Sequence, residues 1–236
     1  MARTLSKLGY CSRREAEQLI LAGRVRVDSI VCRRIDQSVD LGRSTLTVDG
    51  RVVGRERPTY LMLNKPRGLV TTVSDERGRP TVFQCFEGAE LPRLVPVGRL
   101  DKASEGLLVF TNDTQWANAI TDPASRCEKV YHVHATCQPS PEFINQLLAG
   151  VTVDGELLRV CRAETIRVGP RNCWMELSLN EGKNRHLRRL LAALGVDVLQ
   201  LVRIAIGPLE LGDLPKGQWR QLTPEQARCL APIIQA

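Results

Sequence analysis

The stretch VGRLDKASEGLLVFTND, residues 97–113, sets Arg99 and Asp101 at the end of one apolar run, ahead of a polar turn and a second apolar run. Alternation along an extended strand end turns both side chains toward one face. A carboxylate held on a rigid element can act as a nucleophile or as a base. Gly98 beside it lets a ligand approach the backbone. A turn aspartate paired with Arg99 or Lys102 accounts for the same pattern, and this segment alone does not separate the readings.

Two further stretches carry groups suited to chemistry. NEGKNRHLRR, residues 180–189, packs Lys183, Arg185, Arg188 and Arg189 around a helix start. Cations there oppose the helix dipole, so an anion is expected nearby, although a solvated basic face is the ordinary alternative. Leu187, Leu190 and Leu191 form the apolar face of the same helix. In EKVYHVHAT, Tyr131 can stack on a nucleobase or serve as a core tyrosine with its hydroxyl satisfied. His132, His134 and His186 stand apart and read as structural. The chain has no phosphate-binding loop, no dinucleotide fingerprint, no H-E-x-x-H and no G-x-S-x-G, so nothing supports a nucleotide- or metal-dependent reaction. No cofactor and no metal are expected.

The elements that must position these groups follow from spacing and caps. SRREAEQLILA reads as a helix over residues 12–22, with Ser12 and Glu15 as a capping box and Gly23 as its stop. RVRVDSIVC reads as a strand with Arg24 and Arg26 on one face, and residues 44–53 as another running into the polar GRERP. A basic helix, with Arg13 and Arg14, beside a basic-faced strand suits phosphate contact. A solvated amphipathic face is the even alternative. Beyond Thr59, strands are expected at TYLMLNKP, RLVPVGRLD, GLLVFTND, EKVYHVHAT, 156–168, 173–179 and VLQLVRIAIGPLEL. Helices are expected at TQWANAITD, at SPEFINQLLAG with Ser140 as cap and Pro141 in its first turn, at KNRHLRRLLAALG, and at TPEQARCLAPII behind Thr223. The pattern is α+β, with no βαβ repetition.

Bulk properties agree with a polyanion partner. The 236 residues carry a net charge of +7 and are 43% hydrophobic, enough for a substantial core. Residues 1–58 hold twelve Lys+Arg against seven Asp+Glu, so most of the excess lies in the first quarter. No apolar run reaches the roughly 18 residues of a membrane span, and the start lacks a signal-peptide core. A cytoplasmic location is expected. The eight cysteines show no C-x-x-C spacing and read as reduced thiols.

Together these segments resemble the bacterial ribosomal RNA pseudouridine synthases of the RsuA/RluB type. VGRLDKASEGLLVFTND is similar to their signature motif. LNKPRG (63–68), EKVYHV (128–133), EGKNRHLRRLLAALG (181–195) and LVRIAIGPLELGDLPKGQWRQLT resemble their other motifs. SRREAEQLILAGRVRVD resembles an S4 RNA-binding domain, whose first helix is expected here to be shortened or absent. The resemblance covers essentially the whole chain. It implies an S4-like domain over 1–50, a linker over 51–58, and a catalytic domain over 59–236 built on a mixed, mainly antiparallel sheet flanked by helices.

The resemblance also implies site-specific conversion of uridine to pseudouridine in ribosomal RNA. The N1–C1′ bond is broken, the uracil turned and a C5–C1′ bond made, with no atoms gained or lost and no cofactor. Asp101 would be the essential carboxylate, Arg188 its basic partner, and Tyr131 the ring on the uracil. Leu187 would floor the base, Arg99 would enter the gap left by the flipped nucleotide, and Lys65 would support the site. Lys183, Arg185, Arg13, Arg14, Arg24 and Arg26 would contact RNA. The partner would be ribosomal RNA, free or in an assembly intermediate, without a membrane and with the protein a monomer. Two alternatives stand beside it: a non-catalytic S4-type RNA-binding or ribosome-assembly protein, and a glycoside hydrolase, which ordinarily needs two carboxylates.

Overall fold

A computed structural model of the chain describes residues 1–54, 57–125 and 127–231. The end of the last expected helix, and residues 55 and 56 of the expected linker, lie outside the described residues. The chain opens with α1 (Ala2–Lys7) and α2 (Arg13–Leu21), then β1 (Val25–Val27), β2 (Ile30–Val31), β3 (Leu46–Val48) and β4 (Arg51–Val52). The first helix is short but present, and Met1, Ala2 and Leu5 are buried in a small core with Ala16, Ile20, Val25, Leu46 and Val48. Ser12 caps α2 with the capping box that Glu15 completes.

Two spans read as single strands are hairpins. Asp28 and Ser29 take φ of 48° and 69°, and Asp49 and Gly50 take 51° and 77°. Positive φ at both central residues is the turn that matches strand twist, and Asp-Gly favours it. The four short strands form a sheet in the order β2-β1-β3-β4. Residues 51–53, read as the start of a linker, therefore complete this sheet, and Val53 is buried in its core.

The larger part carries a nine-stranded sheet. Its strands are β5 (Tyr60–Lys65), β6 (Val95–Val97), β7 (Glu105–Thr111), β8 (Lys129–Ala135), β11 (Arg162–Val168), β12 (Cys173–Leu179), β13 (Val198–Ile206), β14 (Leu209–Glu210) and β15 (Trp219–Gln221), with β9 (Val151–Val153) and β10 (Glu156–Leu158) as a separate hairpin. The main order is β11-β12-β8-β13-β7-β5-β15, with β6 on β7 and β14 on β13. Every named pairing is antiparallel except β7 with β13. Helices α3 (Thr114–Thr121), α4 (Pro141–Ala149), α5 (His186–Ala193) and α6 (Pro224–Leu230) flank it. The span 156–168 is thus two strands, and β9 and β15 were not foreseen.

Strand β7 explains the unalternating run EGLLVFT, because all its residues are buried. Leu107 and Val109 pack with Trp116, Ile120 and Ala227 of α3 and α6. Leu108 and Phe110 pack on the other face with Leu61, Leu63, Val82 and Phe86. A third core joins β8 and β12 to α4 and α5 through Val133, Met175, Leu147, Leu187 and Leu190.

The parallel seam between β7 and β13 closes around one glycine. Gly106 sits opposite Arg203 at φ +99°, and a Cβ there would lie 2.2 Å from the Arg203 carbonyl oxygen. Neither the backbone angle nor the space accepts a side chain. Gly106→Ala is expected to destabilise the protein by roughly 2–5 kcal/mol, combining overpacking with left-handed strain. Urea unfolding of the two proteins checks this.

Candidate active site

Asp101 does not end a strand. Strand β6 stops at Val97, Gly98 turns the chain with φ +75°, and residues 98–104 form a loop leading into β7. The loop is nevertheless fixed, because five consecutive carbonyls each accept a hydrogen bond. The Thr71 hydroxyl donates to Leu100 O at 2.8 Å, and its oxygen accepts from Leu100 N at 3.3 Å. Ser104 N donates to Asp101 O at 2.9 Å and Gly68 N to Lys102 O at 2.8 Å. Arg188 Nη2 donates to Ala103 O at 3.0 Å, and Lys65 Nζ to Ser104 O at 2.7 Å. A loop without regular structure thereby has a donor for each carbonyl from Leu100 to Ser104.

The loop walls a cleft of about 580 Å³. Arg99, Asp101 and Ser104 line one side; Tyr131 and Lys129 of β8 and Leu201 and Arg203 of β13 line the floor; residues 179–188 line the other side. Leu187 is buried there, Tyr131 is half-buried, and Asp101 keeps 34% of its side chain exposed. The cleft thus brings together Arg99, Asp101, Tyr131, Lys183, Arg185, Leu187 and Arg188 from separate parts of the chain.

The cations sort differently from their spacing. Among the described residues the ion pair of Asp101 is with Arg185, at 3.7 Å. Arg188, expected as that partner, instead grips the Asp101 loop through the Ala103 carbonyl and reaches Val198 O at 3.4 Å. Burial, and next the neighbouring Arg185, pull its pKa below the ordinary arginine value, while Asp101 opposes them. Helix α5 begins at His186 rather than Lys183, and Arg185 holds its N-cap in a left-handed conformation, φ 48°. Lys183 is occupied by Glu181 at 2.9 Å and Leu157 O at 2.8 Å. Arg189 is tied to Glu156 at 2.6 Å and to Asp154 at 3.3 Å. The four cations therefore do not converge on one anion.

The remaining expected residues lie away from the cleft. Lys65 is fully buried behind the loop, not in the cleft. Arg24 pairs with Asp49, and Arg26 donates to Ser29 O at 3.1 Å. Both line a shallow pocket between β1 and β3. Arg13 and Arg14 are exposed in the first turn of α2. From that same turn, Glu15 reaches Arg93 at 2.6 Å, just ahead of β6. Sequence reasoning missed Lys129 and Arg203 in the cleft and Thr71 and Gly68 behind the loop. Each is placed by long-range pairing, and only the E-K-V-Y spacing, which puts Lys129 on the face of Tyr131, carried a signal.

The described residues contain no group of three His, Cys, Asp or Glu placed to hold a metal, and no described helix is long and apolar enough to cross a membrane.

Burial lowers the Lys65 pKa from 10.5 to about 8, against the attraction of Glu105 and Asp101. Because the folded pKa lies below the unfolded one, the unfolded chain holds this proton longer, and stability from this group rises between pH 8 and 10.5. In Lys65→Met the rise disappears. The stability of wild type relative to the variant is therefore expected to increase across that window. Chemical denaturation of both proteins at stepped pH measures it.

Comparison with known proteins agrees with this architecture. Residues 59–193 match the model of the RNA pseudouridylate synthase family, and residues 2–43 match the S4 domain. An uncharacterized RNA pseudouridine synthase of Rickettsia prowazekii (strain Madrid E) is 36% identical over 224 residues, covering 94% of each chain. Ribosomal large subunit pseudouridine synthase B of Bacillus subtilis (strain 168) is 32% identical over 235 residues, covering 99% of this chain and 96% of its own. A crystal structure of a pseudouridylate synthase superposes with a TM-score of 0.69 at 27% identity, covering 98% of both chains. With the match spanning more than half its length and relatives aligned end to end, the chain belongs to the RNA pseudouridylate synthase family.

Proposed function

We propose that this chain converts a specific uridine of ribosomal RNA to pseudouridine, with Asp101 as the essential carboxylate. The isomerisation of uridine in RNA is the activity of its family. The observation that carries the assignment to Asp101 is the loop with five bonded carbonyls, which fixes a partly exposed carboxylate at the wall of a cleft. Preorganisation of this kind removes the need to order the group at the moment of reaction.

The other roles follow from position. Tyr131 offers its ring to the base from the floor, and buried Leu187 closes the cleft beneath it. Arg185 pairs with Asp101 at 3.7 Å and orients its carboxylate at the cleft wall. Arg188 positions the loop through Ala103. Arg99, exposed at the rim, fills the stack that the flipped nucleotide leaves. Lys65 supports the loop from behind. Arg13, Arg14, Arg24 and Arg26 supply phosphate contacts from the N-terminal unit, and Lys183 belongs to the cleft wall. The chain divides functionally into an RNA-placing part ahead of Thr59 and a catalytic part from Thr59 onward. It works as a monomer in the cytoplasm, without cofactor. The name of the B. subtilis relative favours large-subunit RNA as the substrate.

Tritium release from transcripts labelled at uracil C5 tests the reading. The wild-type protein is expected to release tritium to water from large-subunit RNA or its assembly particle. Asp101→Asn should abolish release, a loss of about 10³-fold or more, while RNA binding is retained. Release of free uracil instead would identify a hydrolase, and binding with no release from either subunit's RNA or particles would identify a non-catalytic binder.

Arg13→Ala combined with Arg14→Ala tests the N-terminal contacts separately. It is expected to weaken RNA binding and lower the salt dependence of log Kd by up to about 2, with the rate at saturating RNA unchanged. Filter binding over a salt series reads this.

A further inference from the structure

The floor of the cleft holds two cations for which the assigned roles give no use. Arg203 is 5% exposed. Its Nε donates to Leu107 O at 2.7 Å, but its buried Nη2 has no hydrogen-bond partner. Lys129 is half-buried two residues before Tyr131 on β8, and its ammonium has no ion pair or hydrogen bond among the described residues. Arg203 stands directly opposite Tyr131 across the β8–β13 ladder. Alternation puts Lys129 on the same face as Tyr131, and all three line the cleft. Buried donors ordinarily find partners, and an orphan beside an open cleft points to a ligand.

We propose that Lys129 and Arg203 form a subsite for the uracil anion: they hold the carbonyl oxygens of the base and the charge the ring carries after the N1–C1′ bond breaks. The inference rests on the function proposed above. In that isomerisation the bonding pair of N1–C1′ departs with the uracil. The ring turns, C5 bonds to C1′, the C5 proton leaves to a base and N1 takes up a proton, so the composition is unchanged. The charge sits on N1 and the two carbonyl oxygens. Neutral uracil offers those oxygens as ordinary acceptors, whereas the anion offers them with charge. The two cations therefore gain more from the intermediate than from the substrate, which is what accelerates the step.

Depth separates this occupant from a phosphate. A flipped nucleotide enters base first, so its phosphates stay at the rim, where exposed Arg99 and Arg185 stand. The floor beside Tyr131 meets the base. Burial also lowers the pKa of Lys129, with Arg203 contributing in the same direction and the Cys127 thiol opposing. An anion bound beside the two cations offsets both effects by favouring the charged lysine.

Single-turnover tritium release and RNA binding test the proposal on full-length protein with the RNA that the wild type modifies. Lys129→Met keeps the packed stem and removes the charge. It is expected to lower the saturated rate on the order of 10²-fold with Kd and salt slope unchanged, and Lys129→Arg to restore most of the loss. Arg203→Lys keeps a charge but withdraws Nη2 together with the Nε bond to Leu107 O; it should lower the same rate about tenfold with Kd unchanged, and circular dichroism at the assay temperature checks that the variant is folded. A weakened Kd with a salt slope smaller by about 1, at an intact saturated rate, would reveal a phosphate contact and overturn the proposal. An unchanged rate in both Lys129→Met and Arg203→Lys would also overturn it. Absence of release by the wild type would instead overturn the function on which it rests.

Discussion

The site depends on one buried ammonium. Lys65 lies wholly inside the protein at the end of β5, and its charge is directed onto the carbonyl of Ser104, with Pro66 O as its second acceptor at 3.0 Å. Desolvation makes that charge costly, and the fold retains it because the carbonyls of the Asp101 loop face inward and need donors. The same logic runs along the loop. Thr71, Gly68 and Arg188 come from both sides, so the loop is clamped between β5 with the segment that follows it and α5. The carboxylate's position is thus set by backbone hydrogen bonds, and with one side-chain ion pair, at 3.7 Å, it stays partly exposed to the cleft.

A second constraint joins the halves of the sheet. The β7–β13 seam is the parallel pairing in an otherwise antiparallel order, and Gly106 allows it by bringing backbone against backbone. Glu105 continues the loop directly into this seam. The floor strand β8, with Tyr131, pairs to the far side of β13. The separation between the Asp101 loop and the tyrosine ring is therefore one strand wide and is fixed by ladders on both sides of β13. Packing on β7 from two cores holds that geometry against shear.

Much of this is legible in local sequence. The caps at Ser12, Ser140 and Thr223 are where their residue types place them, and β7, β8 and α5 coincide with the segments singled out for chemistry. The hairpins at Asp28–Ser29 and Asp49–Gly50 were missed because apolar residues continue across them and the turn residues are short. The resemblance gives Arg188 as the partner of Asp101, and spacing starts the helix at Lys183; the left-handed Arg185 moves that start to His186, so Arg185 meets Asp101 from the N-cap while Arg188 holds the Ala103 carbonyl. Arg203 was invisible: nothing in LVRIAIG tells that its guanidinium lies opposite Tyr131, since that follows from the register of strands far apart in the chain.

Glu15 holds two positions at once. Its carboxylate closes the capping box of α2 by accepting from Ser12 N at 2.8 Å, and it also reaches Arg93 at the approach to β6. Both partners stabilise its ionised form, and its pKa falls accordingly. The oxygen that meets Arg93 is aimed only when the first turn of α2 is formed, so docking of the two units is conditional on local folding of the smaller one. A unit whose helix is uncapped is joined to the rest by a tether of variable length. Once the helix is capped and Glu15 meets Arg93, it becomes a spacer of set length, and the distance from α2 to the cleft becomes a fixed property of the molecule.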